Sequence, residues 1–226
     1  MKCMQLRHEW KHRLAPEDLP GLRQRLKLVA RPDPYAQDGR YHIRSLYFDT
    51  PSDKALRDKL DGVNNREKFR IRCYNLDPGL IHLEKKSKRN GLGSKEKVRL
   101  QPWQVLALTE GDRSWLLEEE EPLLRELYWK MTVQGLAPKT LVDYIREPFV
   151  YAPGNVRVTL DYDLRTGLRC VDFLDPDCVT IPVRDAPVIL EVKWDAFLPD
   201  LIRDTVQIPG RRAAAFSKYS VCRMYD

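Results

Sequence analysis

Residues 65–75 read NREKFRIRCYN, so Lys68, Arg70 and Arg72 alternate with Phe69, Ile71 and Cys73. Successive side chains of a strand point to opposite faces, which makes one face of this segment apolar and the other strongly cationic. The pattern recurs along the chain. Glu9, Lys11 and Arg13 stand two apart, as do Glu84, Lys86 and Lys88, Lys97 and Arg99, Arg157, Thr159 and Asp161, and Glu191 and Lys193. A half-exposed antiparallel sheet produces the same alternation, with the charges in water. If the charged face instead looks inward, unpaired cations there are costly, and carboxylates, water or a polyanion must accompany them. A phosphate chain meets that demand, because guanidinium forks bind its oxygens bidentately. The few glutamates among many Arg and Lys then suit one hard divalent cation, held by carboxylate and phosphate oxygens. Phosphoryl transfer relies on positioning and charge neutralisation, so the lack of an obvious general base does not count against it.

Other chemistries find less support. NGLGSKEK (90–97) has glycines and lysines but not the phosphate-loop spacing, and reads as a hairpin loop. No GxSxG, HExxH or Ser/His/Asp constellation stands out, and His8, His12, His42 and His82 read as surface or structural groups.

The elements that position these residues follow from periodicity. Strands are expected at 5–14, 41–48, 66–75, 80–87, 96–101, 141–147, 155–161, 168–174 and 187–195. Helices are expected from Pro16 to Val29, from a Thr50-Pro51 start to Gly62, and from Pro199 to Val206. Residues 102–135 carry apolar positions at helical spacing and read as a helical insertion within a single domain, 1–226. The rhythm of a parallel sheet is absent, so the fold class is α+β.

The chain has 226 residues, of which 39 are basic and 33 acidic, leaving a net charge of +6 that suits an anionic ligand. Five scattered cysteines without a CxxC argue against a disulfide framework or a zinc knuckle. No long apolar run or signal peptide is evident, so a reducing cytoplasm is the expected compartment. Tyr74, Trp103 and Trp194 do not interleave with the basic residues, and nucleic acid is not expected as a partner.

The ordered series RHEWKHR (7–13), YHIRSLYFDTP (41–51), REKFRIRCYN (66–75), HLEKKSK (82–88), KVRL (97–100), VRVTLDYDLRTG (156–167), VILEVKWD (188–195) and FSKYS (216–220) resembles the VTC domain of polyphosphate polymerases, within the CYTH-like triphosphate tunnel metalloenzymes. The resemblance implies a closed eight-stranded antiparallel barrel with a basic interior, flanked by helices. It implies transfer of the terminal phosphate of ATP to a growing polyphosphate chain, assisted by Mn2+ or Mg2+. Arg70, Arg72, Lys86 and Lys218 would be catalytic. Lys11, Lys97, Arg157, Arg165 and Ser217 would bind the triphosphate or the chain. Glu191 would be the principal metal ligand, with Glu9 a second carboxylate. Tyr47 and Asp49 would belong to a structural corner. The hydrolases of the superfamily open with ExExK, whereas residues 7–11 carry one glutamate, which favours the polymerase branch. The alternatives are a triphosphatase acting on inorganic or nucleoside triphosphate and a non-catalytic polyphosphate or nucleotide binder. A membrane or regulatory protein partner stays open.

Overall fold

Alternation of apolar and charged residues builds the strands, and apolar positions at helical spacing build the helices between them. The computed structural model describes residues 7–225 except 37, 91, 212 and 214. In chain order the elements are β1 (His8–Leu14), α1 (Asp18–Val29), β2 (Arg31–Pro32), β3 (Tyr41–Asp49), α2 (Lys54–Leu60), β4 (Arg66–Tyr74), β5 (Ile81–Arg89), β6 (Leu92–Leu100), α3 (Pro102–Glu110), α4 (Pro122–Val133), β7 (Ala137–Tyr151), β8 (Val156–Thr166), β9 (Ile181–Pro182), β10 (Val188–Trp194), α5 (Asp200–Thr205) and α6 (Lys218–Cys222). The first two residues expected in the opening strand, Gln5 and Leu6, lie outside the described residues.

The strand order is β1-β10-β8-β7-β3-β4-β5-β6, with β2 on β7 and β9 on β8. This order is linear and ends on β1 and β6, so the sheet is open, where a closed barrel was expected. Alternation defines faces but is blind to closure. The end strand β6 carries Lys95, Glu96, Lys97 and Arg99, and such charges discourage an edge from pairing further.

Two packed units make up the chain, one of residues up to 42, 144–164 and 183–217, the other of 43–143, 165–182 and 218–226. In the first unit β1 pairs with β10 and β10 with β8, both antiparallel. The apolar sides of these strands bury Leu14, Val158, Leu160, Leu190 and Val192 against Leu22 and Leu26 of α1 and Ile202 of α5. In the second unit β3, β4, β5 and β6 pair in succession, again antiparallel. Their apolar sides bury Leu46, Phe48, Phe69, Ile71 and Leu83 against Val105 and Leu108 of α3 and Leu123, Leu124 and Leu127 of α4. The helical segment at 102–135 thus covers the second unit's core, and α3 stops at Gly111, whose φ of 85° favours glycine.

Two local expectations change. The helix expected to open at Thr50-Pro51 begins at Lys54, because the Asp49 carboxylate accepts the backbone N–H groups of Ala55 and Leu56 while Thr50 Oγ1 accepts that of Lys54. The strand expected at 168–174 is a run of turns. Leu168 is left-handed, with φ 52°, and Cys170, Asp175 and Cys178 each donate their backbone N–H to the carbonyl three residues back.

Candidate functional site

In the second unit the register stacks charged residues on the face opposite the core. Tyr47 pairs with Arg70, Arg70 with Glu84 and Glu84 with Lys97. The row beside it holds Ser45, Arg72, His82 and Arg99, and the row on the other side holds Lys68, Lys86 and Lys95. Glu84 is the one carboxylate in these rows and is 2% exposed. Its Oε2 accepts from Arg70 Nε at 2.8 Å and from Arg70 Nη2 at 2.5 Å, and Oε1 meets the Lys95 ammonium. Arg70 Nη1 donates to Tyr47 Oη at 2.9 Å, and Arg72 Nε donates to Ser45 Oγ at 3.0 Å.

The electrostatics follow from this crowding. Burial alone would raise the Glu84 carboxyl, but Arg70, Arg72 and Lys95 overcome it and hold the group far below the usual carboxylate range. Burial would likewise raise the Tyr47 phenol, yet the charges of Arg70, Lys68 and Arg72 bring it down to about 7. Its ring stacks on Tyr219, with centroids 5.0 Å apart.

In the first unit the polar face is built from β1, β10 and β8. Lys11 pairs with Glu191 and Glu191 with Thr159, while Glu9 pairs with Lys193 and Lys193 with Arg157. Four of these groups close a ring of alternating charge. Lys11 Nζ lies 3.1 Å from Glu9 Oε2 and 3.4 Å from Glu191 Oε2. Lys193 Nζ lies 2.5 Å from Glu191 Oε1 and 3.5 Å from Glu9 Oε1. Burial lowers the Lys11 pKa, but Glu191 and Glu9 reverse this and hold it above the ordinary lysine value. Beside the ring, Arg146 Nε and Nη2 donate to the two oxygens of buried Asp161, both at 2.7 Å. Thr159, next to Glu191 in register, buries a hydroxyl with no hydrogen-bond partner among the described residues.

The register therefore brings Arg70, Arg72, Lys86 and Lys97 onto one face of the second unit, and Glu9, Lys11, Arg157 and Glu191 onto one face of the first. Arg157 also pairs with Asp33 at 3.2 Å. Arg165 is engaged elsewhere: its Nε donates to Thr180 Oγ1 at 3.0 Å and its Nη2 to Thr180 O at 2.6 Å. Ser217 is buried at the end of the first unit, and Lys218 opens α6 in the second. Sequence reasoning missed Glu84, Tyr47, Lys95, Arg146, Asp161 and Thr159 as site groups. A lone acid two residues before Lys86 was the available signal for Glu84, and its meaning needs the cross-strand register.

Among the described residues no three or more His, Cys, Asp or Glu side chains gather as a metal cluster. The donor set of Glu9 and Glu191 still fits a hard divalent cation, since both are oxygen ligands joined through the same two lysines and such an ion takes its remaining ligands from water and phosphate. The unpartnered Thr159 hydroxyl adds a polar atom at the same place.

Solved structures share this architecture. HpAC1 from Hippeastrum, a proposed adenylyl cyclase with a dominant triphosphatase activity, is 16% identical with a TM-score of 0.55 over 98% of this chain and 96% of its own. The PH1819 protein of Pyrococcus horikoshii OT3 is 13% identical with a TM-score of 0.50 over 96% of each chain. At these identities the likeness is one of fold. No curated protein matches the chain in sequence. The model of the VTC domain matches residues 6–225, and the chain belongs to that family.

Proposed function

We propose that this chain is a metal-dependent polyphosphate polymerase that transfers the terminal phosphate of ATP to a growing polyphosphate chain. The observation that carries the reading is the face of β4, β5 and β6, where the register gathers Lys68, Arg70, Arg72, Lys86, Lys95 and Lys97 around Glu84. A face so rich in cations attracts a polyanion. In this reading Arg70 and Arg72, pre-aligned by Glu84, Tyr47 and Ser45, bind phosphate oxygens together with Lys86 and Lys97. The terminal oxygen of the chain attacks the γ-phosphorus, the bond to the β-phosphate oxygen breaks, and ADP leaves with the electron pair. The attacking oxygen is already anionic, so no protein base is required. Lys11, Arg157, Arg165, Ser217 and Lys218 are the further binding and catalytic groups that family membership suggests. Glu191, with Glu9, would hold Mn2+ or Mg2+, which when bound offsets charge on the transferring phosphoryl group. No described helix is long and apolar enough to cross a membrane.

The same groups would serve a triphosphatase, with water as acceptor. The fold shared with HpAC1 favours that second reading. Incubation with ATP and Mn2+, with products resolved by phosphate chain length beside Glu191→Gln, separates the two. Chains longer than triphosphate, lost in the variant, are the expected result. Phosphate release without chain growth would select the triphosphatase, and absence of turnover with any divalent metal would leave a polyphosphate or nucleotide binder.

A further inference from the structure

The segment between β8 and β9 holds Cys170 and Cys178, and their sulfurs lie 2.8 Å apart. That is well inside the contact distance of two separate thiols, and a disulfide bond is only about 2.03–2.05 Å long. Consecutive turns make the approach: Cys170 N–H donates to Gly167 O, Phe173 N–H to Val171 O, and Cys178 N–H to Asp175 O. The loop between the two sulfurs is also held from below. Arg44, paired with buried Asp143, donates through Nη1 to the carbonyls of Phe173 and Asp175. Both cysteines are free and partly exposed, whereas Cys73 and Cys222 are buried.

We propose that Cys170 and Cys178 are a reversible disulfide site that staples the segment leading to β9. The oxidant is a low-molecular-weight disulfide. The thiolate of Cys170 attacks one of its sulfurs and expels one thiolate. The thiolate of Cys178 then attacks the Cys170 sulfur and expels the second, so two protein thiols are oxidised and one disulfide is reduced to two thiols. The order of the two attacks is interchangeable, because the two sulfurs face each other. The staple ends two residues before Thr180, which holds Arg165, so oxidation fixes the anchor of that arginine. This last consequence rests on the proposed function; the disulfide does not.

The test equilibrates the full chain with oxidised glutathione under native conditions, alkylates the free thiols and maps the peptides. A Cys170–Cys178 linked peptide is expected, with Cys73 and Cys222 alkylated once the chain is unfolded, and with the link reversed by reduced glutathione. Cys178→Ser should instead retain a glutathione adduct on Cys170. The oxidised chain should unfold at higher urea concentration than Cys178→Ser treated alike. Separate adducts on both cysteines of the native chain, linkage of another pair, or two thiols still free would each overturn the proposal. None of these readouts uses catalysis, so they stand apart from the fate of the polymerase reading.

Discussion

Glu84 in the second unit and Glu191 in the first both sit among cations on a sheet face, yet their surroundings differ in kind. Glu84 is enclosed by Arg70, Arg72 and Lys95 with no second carboxylate in the paired rows. Glu191 shares Lys11 and Lys193 with Glu9, and the nearby Arg146 is matched by Asp161. The ring of Glu9, Lys11, Glu191 and Lys193 is thus locally balanced, whereas the paired rows around Glu84 hold more cations than carboxylates. A balanced ring of carboxylates and lysines can exchange its ammonium groups for a metal ion without leaving charge stranded. An overcharged face gains from an anion.

The largest expected effect lies at Glu84. Removing one partner of a buried pair leaves an uncompensated charge and costs about 3–5 kcal/mol. Arg70 and Glu84 are 5% and 2% exposed, so little water is available to compensate. Glu84→Gln should lower urea stability by that order, and tripolyphosphate should recover more stability in the variant than in the wild type, because the anion replaces the missing countercharge. An unchanged unfolding midpoint would show that Glu84 is not the countercharge of the cations paired around it.

Next comes Arg72→Ala, which would remove the phosphate contacts proposed for Arg72 without removing either member of the Arg70–Glu84 pair. Loss of a charge-assisted bond of about 1.5–3 kcal/mol corresponds to roughly a ten- to hundredfold fall in catalytic efficiency. Chain synthesis measured at several ATP concentrations checks it, and an unaltered rate would remove Arg72 from the site. Glu191→Gln sharpens the contrast from the other side. Its lysine partners keep side-chain exposures of 25% and 30% and retain Glu9 as a second carboxylate, so the cost to stability should be smaller than at Glu84. The stabilisation by Mn2+, read as a shift in melting temperature, should nonetheless vanish. A stability loss as large as that of Glu84→Gln would erase the distinction between the two units.

Much of this arrangement is legible in period-two alternation. Phe69, Ile71 and Cys73 go to the core and Arg70 and Arg72 to the other face, and Val156, Val158 and Leu160 likewise oppose Arg157 and Thr159. The helical spacing of 102–135 identified the segment that covers the second core. What alternation lacks is register: it sets a face for Glu84 but not the neighbour, Arg70, whose Nε and Nη2 both donate to its Oε2. Arg44 shows the same limit. It shares a side with Leu46 and Phe48, and only its pairing with Asp143, far along the chain, makes its burial intelligible. At 168–174 the apolar residues serve a turn-built loop. Leu168 is left-handed and turns follow at Gly167–Cys170 and Val171–Phe173, so Phe173 reaches the core without a strand.

The smallest effect tests the overcharged face through its phenol. Tyr47 titrates at about 7 in the folded chain, against an ordinary value of 10.0. Because the folded value is depressed, the stability gained from the phenolate is fully present above about 10 and is lost as pH falls from there through about 7. Ligand binding runs the other way. A bound phosphate chain satisfies Arg70 and Arg72 and opposes a phenolate beside them, so binding favours the protonated phenol and takes up a proton in this window. Tripolyphosphate affinity should therefore weaken severalfold as pH rises from 7 toward 9 in the wild type, and should do so less in Tyr47→Phe. Titration calorimetry in buffers of different ionisation enthalpy reads the proton uptake directly. Equal pH slopes in the two proteins would mean that Tyr47 only supports Arg70 and Tyr219 by packing. The predicted difference would instead place the anion within electrostatic reach of Arg70, the cation that acts most strongly on Tyr47 and donates to its hydroxyl.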